Sequence, residues 1–179
     1  MIQRAMLKLN LGCGRDVREG YLNLDQVILP GVNVVHDLNR GTLPFKDSQF
    51  DEVYCRHVLE HLEAFSSVVE DIVRIVKPGG ILKVEAPHCS GPMAYSDPTH
   101  RRFFAYNTFR YFTEDYVFNF YSPARVEAVQ TKLVFATGRL RLLNFLINPM
   151  LNLAPNIYER ILMWVFPIEA VTYTLRIVK

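Results

Sequence analysis

The chain has 179 residues, of which 50% are hydrophobic and 21% charged, and its formal net charge is +2 at pH 7. This composition is typical of a globular chain and excludes an intrinsically disordered one, while the length predicts one domain spanning residues 1–179. The small net charge excludes the strongly basic character expected of a nucleic-acid-binding protein. Three widely spaced cysteines without a C-x-x-C pair indicate reduced thiols and hence a cytoplasmic location.

Strand and helix patterns alternate along the first two-thirds of the sequence. Short apolar or alternating runs predict strands at 7–11, 21–24, 32–35, 50–55, 80–86, 132–137 and 172–178. Apolar residues at helical spacing predict a helix from about residue 57 to residue 76. This order predicts an α/β fold, a Rossmann-like three-layer α/β/α sandwich whose mostly parallel sheet has about seven strands and an antiparallel last strand.

A Gly-x-Gly turn follows the first predicted strand directly. Gly12 and Gly14 lack the Cβ that would keep a nucleotide-like ligand away from the backbone. Asp25 ends the next strand, where a carboxylate can accept hydrogen bonds from both ribose hydroxyls. Only eleven positions separate Gly14 from Asp25, so we expect the first crossover helix to be stunted or absent.

A polar segment after the fifth predicted strand holds the candidate catalytic residues. His88 lies at the end of that strand, and Asp97 and His100 follow in an Asp-Pro-Thr-His sequence. A histidine can remove the proton of an acceptor hydroxyl or amine, and an aspartate can orient that histidine. The alternative is that Asp97 caps a turn and the neighbouring arginines are solvated.

An apolar helical insertion is predicted at about 140–168. Residues 142–158 contain no charged side chain, and asparagines recur at every fourth position, at 144, 148, 152 and 156. Four interpretations stay open, namely a helical hairpin packed on the sheet, an amphipathic cover or lid lying on the surface, a homodimer face and a peripheral membrane contact. No apolar run reaches the roughly 18 residues that a transmembrane helix needs.

Taken in chain order, these motifs resemble those of the class I S-adenosylmethionine-dependent methyltransferases, in particular methyltransferase type 11. The resemblance rests on residues 9–14, Asp25, 36–38, 43–45, 50–54, 57–62 and 76–80, and it covers residues 7–88, about half the chain. It implies S-adenosyl-L-methionine as the cofactor. It also implies methyl transfer to a small-molecule acceptor or to a lipid- or sugar-linked one, the latter suggested by the apolar insertion.

The resemblance assigns part of the cofactor site to the first two strands. Asn10, Gly12, Cys13 and Gly14 would lie under the methionine and ribose portions of the cofactor, and Asp25 would bind the ribose hydroxyls. The sequence departs from the family pattern in two ways, because a further glycine is missing and Asn10 stands where the family has an acidic residue.

The remaining cofactor contacts would come from the third and fourth strands. Asp37 would accept a hydrogen bond from the adenine amine, and Leu38 would pack on the adenine ring. Arg56 and His57 would lie near the sulfonium and the methionine carboxylate. No metal ion is expected in this arrangement.

Two other functions stay open. The short first crossover and the missing glycine fit a cofactor-binding interaction module without catalysis. Residues 57–61 also spell H-x-x-E-H, in which His57 and His61, one helical turn apart, would be the zinc ligands of a hydrolase. The sequence shows no third ligand at a recognisable downstream spacing.

Overall fold

The computed structural model describes residues 6–179 and places seven strands in one sheet, in the order β3-β2-β1-β4-β5-β7-β6. The strands are β1 Lys8–Leu11, β2 Leu22–Asp25, β3 Val34–Val35, β4 Phe50–Arg56, β5 Val76–Pro87, β6 Arg125–Val134 and β7 Ala170–Val178. β1 to β5 pair in parallel, and β7 runs antiparallel to both β5 and β6. The predicted α/β fold, with a mostly parallel sheet and an antiparallel last strand, is confirmed.

The helices are few and short. α1 spans Phe65–Ile75 between β4 and β5, and α2 spans Met93–Ser96 after β5. The insertion between β6 and β7 contains α3, Asn144–Leu153, and α4, Pro155–Ile157, followed by a π-helical turn at Tyr158–Leu162. None of the helices in residues 6–179 is long and apolar enough to span a membrane.

The helix predicted to begin near residue 57 begins eight residues later. Residues 59–61 form only a 3-10 turn, and His57 has a positive φ of 53°, which no α-helical residue adopts. The carbonyl oxygen of Glu60 accepts hydrogen bonds from the N–H groups of Arg101 (2.8 Å) and Arg102 (3.1 Å). That carbonyl therefore holds the segment after β5 instead of extending a helix.

One face of the sheet is apolar and covered. Val53 and Cys55 of β4 and Leu82 and Val84 of β5 point to this face and are buried in the main core. α1 packs there, and its Phe65 contacts a cluster of aromatic rings from residues 104–112. Burial of these apolar side chains is the main stabilisation of the fold.

The other face of the sheet is polar where β4 and β5 pair. Alternate residues of β4 and β5 point to it, and Lys83 Nζ pairs with Glu52 there at 2.9 Å. The crossovers 12–21 and 26–33 consist of turns and are too short for a helix with its two connecting loops. Neither of these two crossovers therefore holds a helix, as the short spacing from Gly14 to Asp25 predicted for the first one.

A loop replaces the first crossover helix on this polar face. Asn10 donates to the carbonyl of Asp16 (2.7 Å) and to the side chain of Asn23 (2.9 Å). The Arg18 guanidinium lies over the Tyr54 ring, 3.7 Å from its centroid. These contacts hold residues 15–21 against the strands and fix the turn that precedes them.

Candidate functional site

A cavity of about 710 Å³ opens at the carboxyl ends of β1, β2 and β4, where ligands collect in open parallel sheets. Its lining residues are Gly12, Leu24, Asp25, Gln26, His36, Asp37, Leu38, Asn39, His57, Val58, His61, Leu62, Glu63, Pro98, Thr99, His100 and Arg101. The cavity therefore brings together the predicted cofactor residues of three strands and the predicted catalytic segment. A second cavity, of about 780 Å³, lies against β6 and β7 and contains none of the predicted site residues.

The glycine turn is shaped by close packing and by a tie to β2. Gly12 has a φ of +66°, and a Cβ at this position would lie 2.5 and 2.6 Å from the two methyl groups of Val58. Gly14 donates its N–H to Asp25 Oδ2 at 2.7 Å. Asp25 Oδ1 accepts the N–H of Val27 at 3.0 Å. Each carboxylate oxygen keeps a second lone pair, so Asp25 can still accept hydrogen bonds from a ligand in the cavity.

The wall formed after β3 combines carboxylate, imidazole and apolar groups. Asp37 Oδ1 accepts the N–H of Asn39 at 3.0 Å, and Asp37 Oδ2 pairs with Arg40 Nε at 3.1 Å. Leu38 is half-buried against the main core. Nε2 of His36 is buried and has no hydrogen-bond partner among residues 6–179. His36 was part of the motif but was not selected as a site residue, since its lone buried nitrogen is visible only in the structure.

Four predicted cofactor residues do not line the cavity. Asn10 is buried just before the glycine turn and Cys13 is buried within it, and burial raises the pKa of the Cys13 thiol. Gly14 contributes its backbone N–H to Asp25. Arg56 Nε donates to Glu85 Oε1 at 3.1 Å, and this bond raises the pKa of the guanidinium. These four residues support the turn and the strand ends in the structure as it stands.

His57 lines the cavity in a strained backbone conformation. Its positive φ is rare outside glycine and is typical of residues held at functional sites. The N–H of His57 donates to the Glu85 carbonyl at 2.9 Å, and its Nδ1 lies 3.3 Å from Glu60 Oε1. Both contacts fix the imidazole at the end of β4.

Glu60 is a buried carboxylate next to the cavity. Its Oε1 faces His57, while its Oε2 has no hydrogen-bond partner among the described residues. A buried carboxylate oxygen without a partner is costly and is found where a ligand, proton or water completes the site. In the sequence, Glu60 belongs to the motif at 57–62, and in the zinc alternative it could act as a base.

A hydrogen-bonded chain fixes the protonation of His61. Thr99 donates its hydroxyl to Asp97 Oδ1 at 2.6 Å, so its oxygen accepts from His61 Nδ1 at 2.8 Å. Nδ1 of His61 is therefore a protonated nitrogen, and in the neutral ring Nε2 is the acceptor. The bonds from Thr99 also lower the pKa of the Asp97 carboxyl, which keeps it ionised.

His100 is oriented in the same way by the backbone. Its Nδ1 lies 3.2 Å from the carbonyl oxygen of Ala94, which only accepts, so Nδ1 is the protonated nitrogen. Its Nε2 lies 3.8 Å from Asp97 Oδ2, and its ring packs edge-on against His61 with centroids 4.7 Å apart. In the neutral His100 ring, Nε2 is therefore the nitrogen that can accept a proton, and the nearby Asp97 carboxylate would stabilise the charge that results.

The structure places His88 outside this cavity. Its side chain is fully buried, with Nδ1 2.8 Å from Ser90 Oγ and Nε2 3.0 Å from Glu159 Oε1. Because both ring nitrogens are engaged away from the cavity, His88 does not reach an acceptor there. It connects the end of β5 to the insertion between β6 and β7, and we do not retain it as a catalytic candidate.

The zinc hypothesis in its predicted form depended on a helix that does not form. His57 and His61 were to share one helix face, but residues 57–61 contain a left-handed residue and a 3-10 turn. The ring nitrogens of His61 and His100 and a carboxylate oxygen of Glu60 lie within 4.8 Å of one another, so these three residues could hold a cation. His57 is not among them.

Comparison with known proteins gives a family match in the first half of the chain. Residues 13–84 match the family Methyltransf_11, described as a methyltransferase domain. The sterol 24-C-methyltransferase of Eremothecium gossypii is 28% identical over 119 residues, which cover 54% of this chain and 32% of that protein. The chain thus spans about a third of the length of this curated relative.

Solved structures share the fold at low sequence identity. The [4+2]-cyclase SpnF has a TM-score of 0.62 at 17% identity, and the match covers 99% of this chain and 76% of the SpnF chain. An S-adenosylmethionine-dependent methyltransferase from Archaeoglobus fulgidus has a TM-score of 0.59 at 16% identity, and the match covers 97% of this chain and 86% of that methyltransferase. At these identities the likeness shows the fold, which is the Rossmann-like fold of methyltransferases.

Proposed function

We propose that this chain, whose residues 13–84 match a methyltransferase domain, is a class I S-adenosylmethionine-dependent methyltransferase that transfers a methyl group from S-adenosyl-L-methionine to a hydroxyl or amine. The acceptor is a small molecule or a lipid- or sugar-linked one. One observation carries the proposal: a single cavity is lined by Asp25, Asp37 and Leu38 on one side and by His61 and His100 on another. Cofactor-binding groups and a proton acceptor thus face the same space.

The cavity fits the cofactor in shape and in donor chemistry. Gly12 leaves no room for a side chain, so the backbone itself forms the floor. Asp25 and Asp37 supply the carboxylates suited to ribose hydroxyls and an adenine amine, and Leu38 supplies an apolar surface for the ring. Nε2 of His36, buried and unpartnered in the described chain, supports a further polar contact with a ligand.

The chain's own task in the reaction is to position the acceptor and remove its proton. The bound cofactor supplies a methyl group on a sulfonium, whose leaving group is already activated. His100 Nε2 accepts the proton of the acceptor, while Nδ1 stays bonded to Ala94. The Asp97 carboxylate, 3.8 Å from Nε2, stabilises the imidazolium that results.

Titration with S-adenosylhomocysteine tests the cofactor half of the proposal. We expect the wild type to bind, and Asp25→Asn to bind about 10- to 100-fold more weakly because a charged acceptor is lost. Asp115→Asn is the matched control, since Asp115 is exposed and does not line the cavity. Equal affinity of D25N and wild type, or the absence of any binding, would contradict the proposal.

Transfer of a labelled methyl group tests the catalytic half of the proposal. Enzyme and cofactor carrying a tritiated methyl group are incubated with a total lipid extract and with the aqueous small-molecule extract of the source cells. We expect label in one extract, and a loss of at least about 100-fold with His100→Gln, which cannot act as a base. The affinity of H100Q for S-adenosylhomocysteine should stay within about twofold of wild type, because His100 faces the acceptor.

The fold shared with a cyclase favours a second candidate, a cofactor-binding chain that does not transfer methyl groups. Binding of S-adenosylhomocysteine without label in either extract supports this candidate. Label that depends on His100 excludes it.

A further inference from the structure

The insertion between β6 and β7 has its polar and apolar sides inverted. In a helix packed on a soluble protein, the apolar side faces the core and the polar side faces water. Here Leu142, Phe145, Met150, Leu153, Trp164 and Val165 are between 68% and 87% exposed. We call these six side chains the apolar face.

The asparagines of α3 set this orientation. Asn144 binds the N–H and C=O of Ala136 (3.0 and 2.7 Å), and Asn152 binds those of Leu133 (both 2.8 Å). Asn148 accepts the N–H of Phe135 at 2.9 Å. At i, i+4 and i+8 the three asparagines occupy one side of the helix and fasten it to the end of the edge strand β6 and to the two residues that follow it. The apolar side is thereby turned away from the sheet.

The same segment carries unpaired positive charge. Arg139, Arg141 and Arg160 are exposed and make no ion pair within residues 6–179. Glu159 is the only acidic residue from position 138 to position 168, and it accepts hydrogen bonds from His88 and from the N–H of Tyr106. The exposed part of the segment therefore presents three positive charges beside a large apolar surface.

We propose that the apolar face docks on the surface of an anionic lipid bilayer. Leucine, phenylalanine and tryptophan side chains would enter the boundary between headgroups and acyl chains, and the arginines would contact lipid phosphates. The segment lies on the bilayer and does not cross it, since no helix of the described chain has the length or composition of a membrane span. This inference goes beyond the proposed methyl transfer and does not depend on it.

Charge favours a bilayer over a second copy of the chain. A two-fold symmetric dimer through this surface would place like surfaces against each other. Such an interface would bring the arginines of both copies into one contact, with no free carboxylate in the segment of either copy to compensate. Anionic headgroups supply the complementary charge that a second copy lacks.

Trp164 provides a direct probe, because it is the only tryptophan of the chain. Its emission is recorded while vesicles of phosphatidylcholine, alone or mixed with phosphatidylglycerol, are added to the full chain. We expect a blue shift with the mixed vesicles, weaker with phosphatidylcholine alone and reduced by salt. Co-sedimentation with the same vesicles measures the bound fraction.

Two substitutions of equal type distinguish binding through the apolar face from nonspecific hydrophobic adsorption. Leu142 and Ile28 are 83% and 82% exposed, and Ile28 follows β2, near the opposite edge of the sheet from β6. Leu142→Glu should lower vesicle binding at least about tenfold, whereas Ile28→Glu should leave it unchanged. Replacing both Arg139 and Arg141 by glutamine should lower binding to mixed vesicles about tenfold or more.

Three results would overturn the proposal. The first is unchanged Trp164 emission with every vesicle, and the second is equal loss of binding in L142E and I28E. The third is a blue shift that follows protein concentration without lipid, together with a dimer in sedimentation equilibrium, which would assign the apolar face to a second copy. Binding of S-adenosylhomocysteine, measured without vesicles, shows separately whether the proposed function stands.

Discussion

The side chain of Asn152 pairs with the backbone of Leu133 as a neighbouring strand would. Its Oδ1 accepts the Leu133 N–H at 2.8 Å, and its Nδ2 donates to the Leu133 carbonyl at 2.8 Å. Leu133 lies in β6, the edge of the sheet, where unpaired backbone groups invite pairing with another chain. The asparagine line of α3 therefore closes part of that edge from within the molecule.

Replacing Asn152 should destabilise the fold. Asn152→Ala leaves the N–H and C=O of a buried residue without partners, and we expect the free energy of unfolding to fall by about 1–3 kcal/mol. Asn156→Ala is the matched control, because Asn156 binds only the exposed side chain of Asn107 and should cost less than about 0.5 kcal/mol. Urea unfolding measures both, and an equal loss in the two variants would refute the edge-closing role.

The glycine turn makes a second quantitative prediction. Gly12→Ala combines a left-handed backbone with a contact of 2.5 Å to Val58, so it should cost about 2–5 kcal/mol. A Cβ at Gly14 meets nothing within 4 Å, so Gly14→Ala should cost only the backbone term of about 1–2 kcal/mol. The free energies come from the same unfolding experiment.

A double substitution separates the two terms at Gly12. Val58→Ala removes the two methyl groups that a Cβ at position 12 would meet. In the Gly12→Ala background it should therefore recover part of the lost stability, although alone it creates a cavity and destabilises. Strictly additive effects of the two substitutions would show that the contact with Val58 does not limit the turn.

Local sequence motifs predicted the glycine turn and the end of β2 well. The Gly-x-Gly turn and Asp25 were assigned to one cofactor site, and the parallel neighbouring strands do bring them together, since Gly14 binds Asp25. The stunted crossover followed from counting residues. The bare polar face of the sheet was not predicted, since pairs such as Glu52 with Lys83 become neighbours only through strand order.

Features that depend on long-range backbone contacts were missed. The helix start was placed too early because the Glu60 carbonyl binds residues 101 and 102, about 40 positions away. β6 begins at Arg125 and not at the predicted residue 132, because residues 127–130 in its middle are exposed and interrupt the apolar pattern of the strand. The asparagine period was visible in the sequence, but only the position of β6 explains it.

Glu169 gives a prediction for the pH dependence of stability. Its Oε2 accepts from the hydroxyl of Thr137 at 2.6 Å and from the Thr137 N–H, and these bonds lower its pKa below the ordinary value of 4.5. A carboxyl with a lowered pKa in the folded state stabilises the protein above its unfolded value, and this contribution is lost as the pH falls through the folded value. Glu169→Gln should thus be less stable than wild type above about pH 4.5, and the difference should shrink on acidification. A difference that stays constant down to acid pH would contradict this assignment, and Thr137→Val should reproduce the effect in part.

The two histidines proposed from the sequence as catalytic can be told apart by matched substitutions. His88→Gln cannot keep both the Ser90 and the Glu159 hydrogen bonds, so the free energy of unfolding should fall by about 1–3 kcal/mol. The rate of label transfer per folded molecule should stay unchanged, because His88 lies outside the cavity. His100→Gln should leave the free energy of unfolding nearly unchanged and lower the rate of label transfer by at least about 100-fold. A tenfold or greater loss of rate in fully folded H88Q would return His88 to the catalytic residues, because its link through Glu159 to the insertion would then have to act on the acceptor.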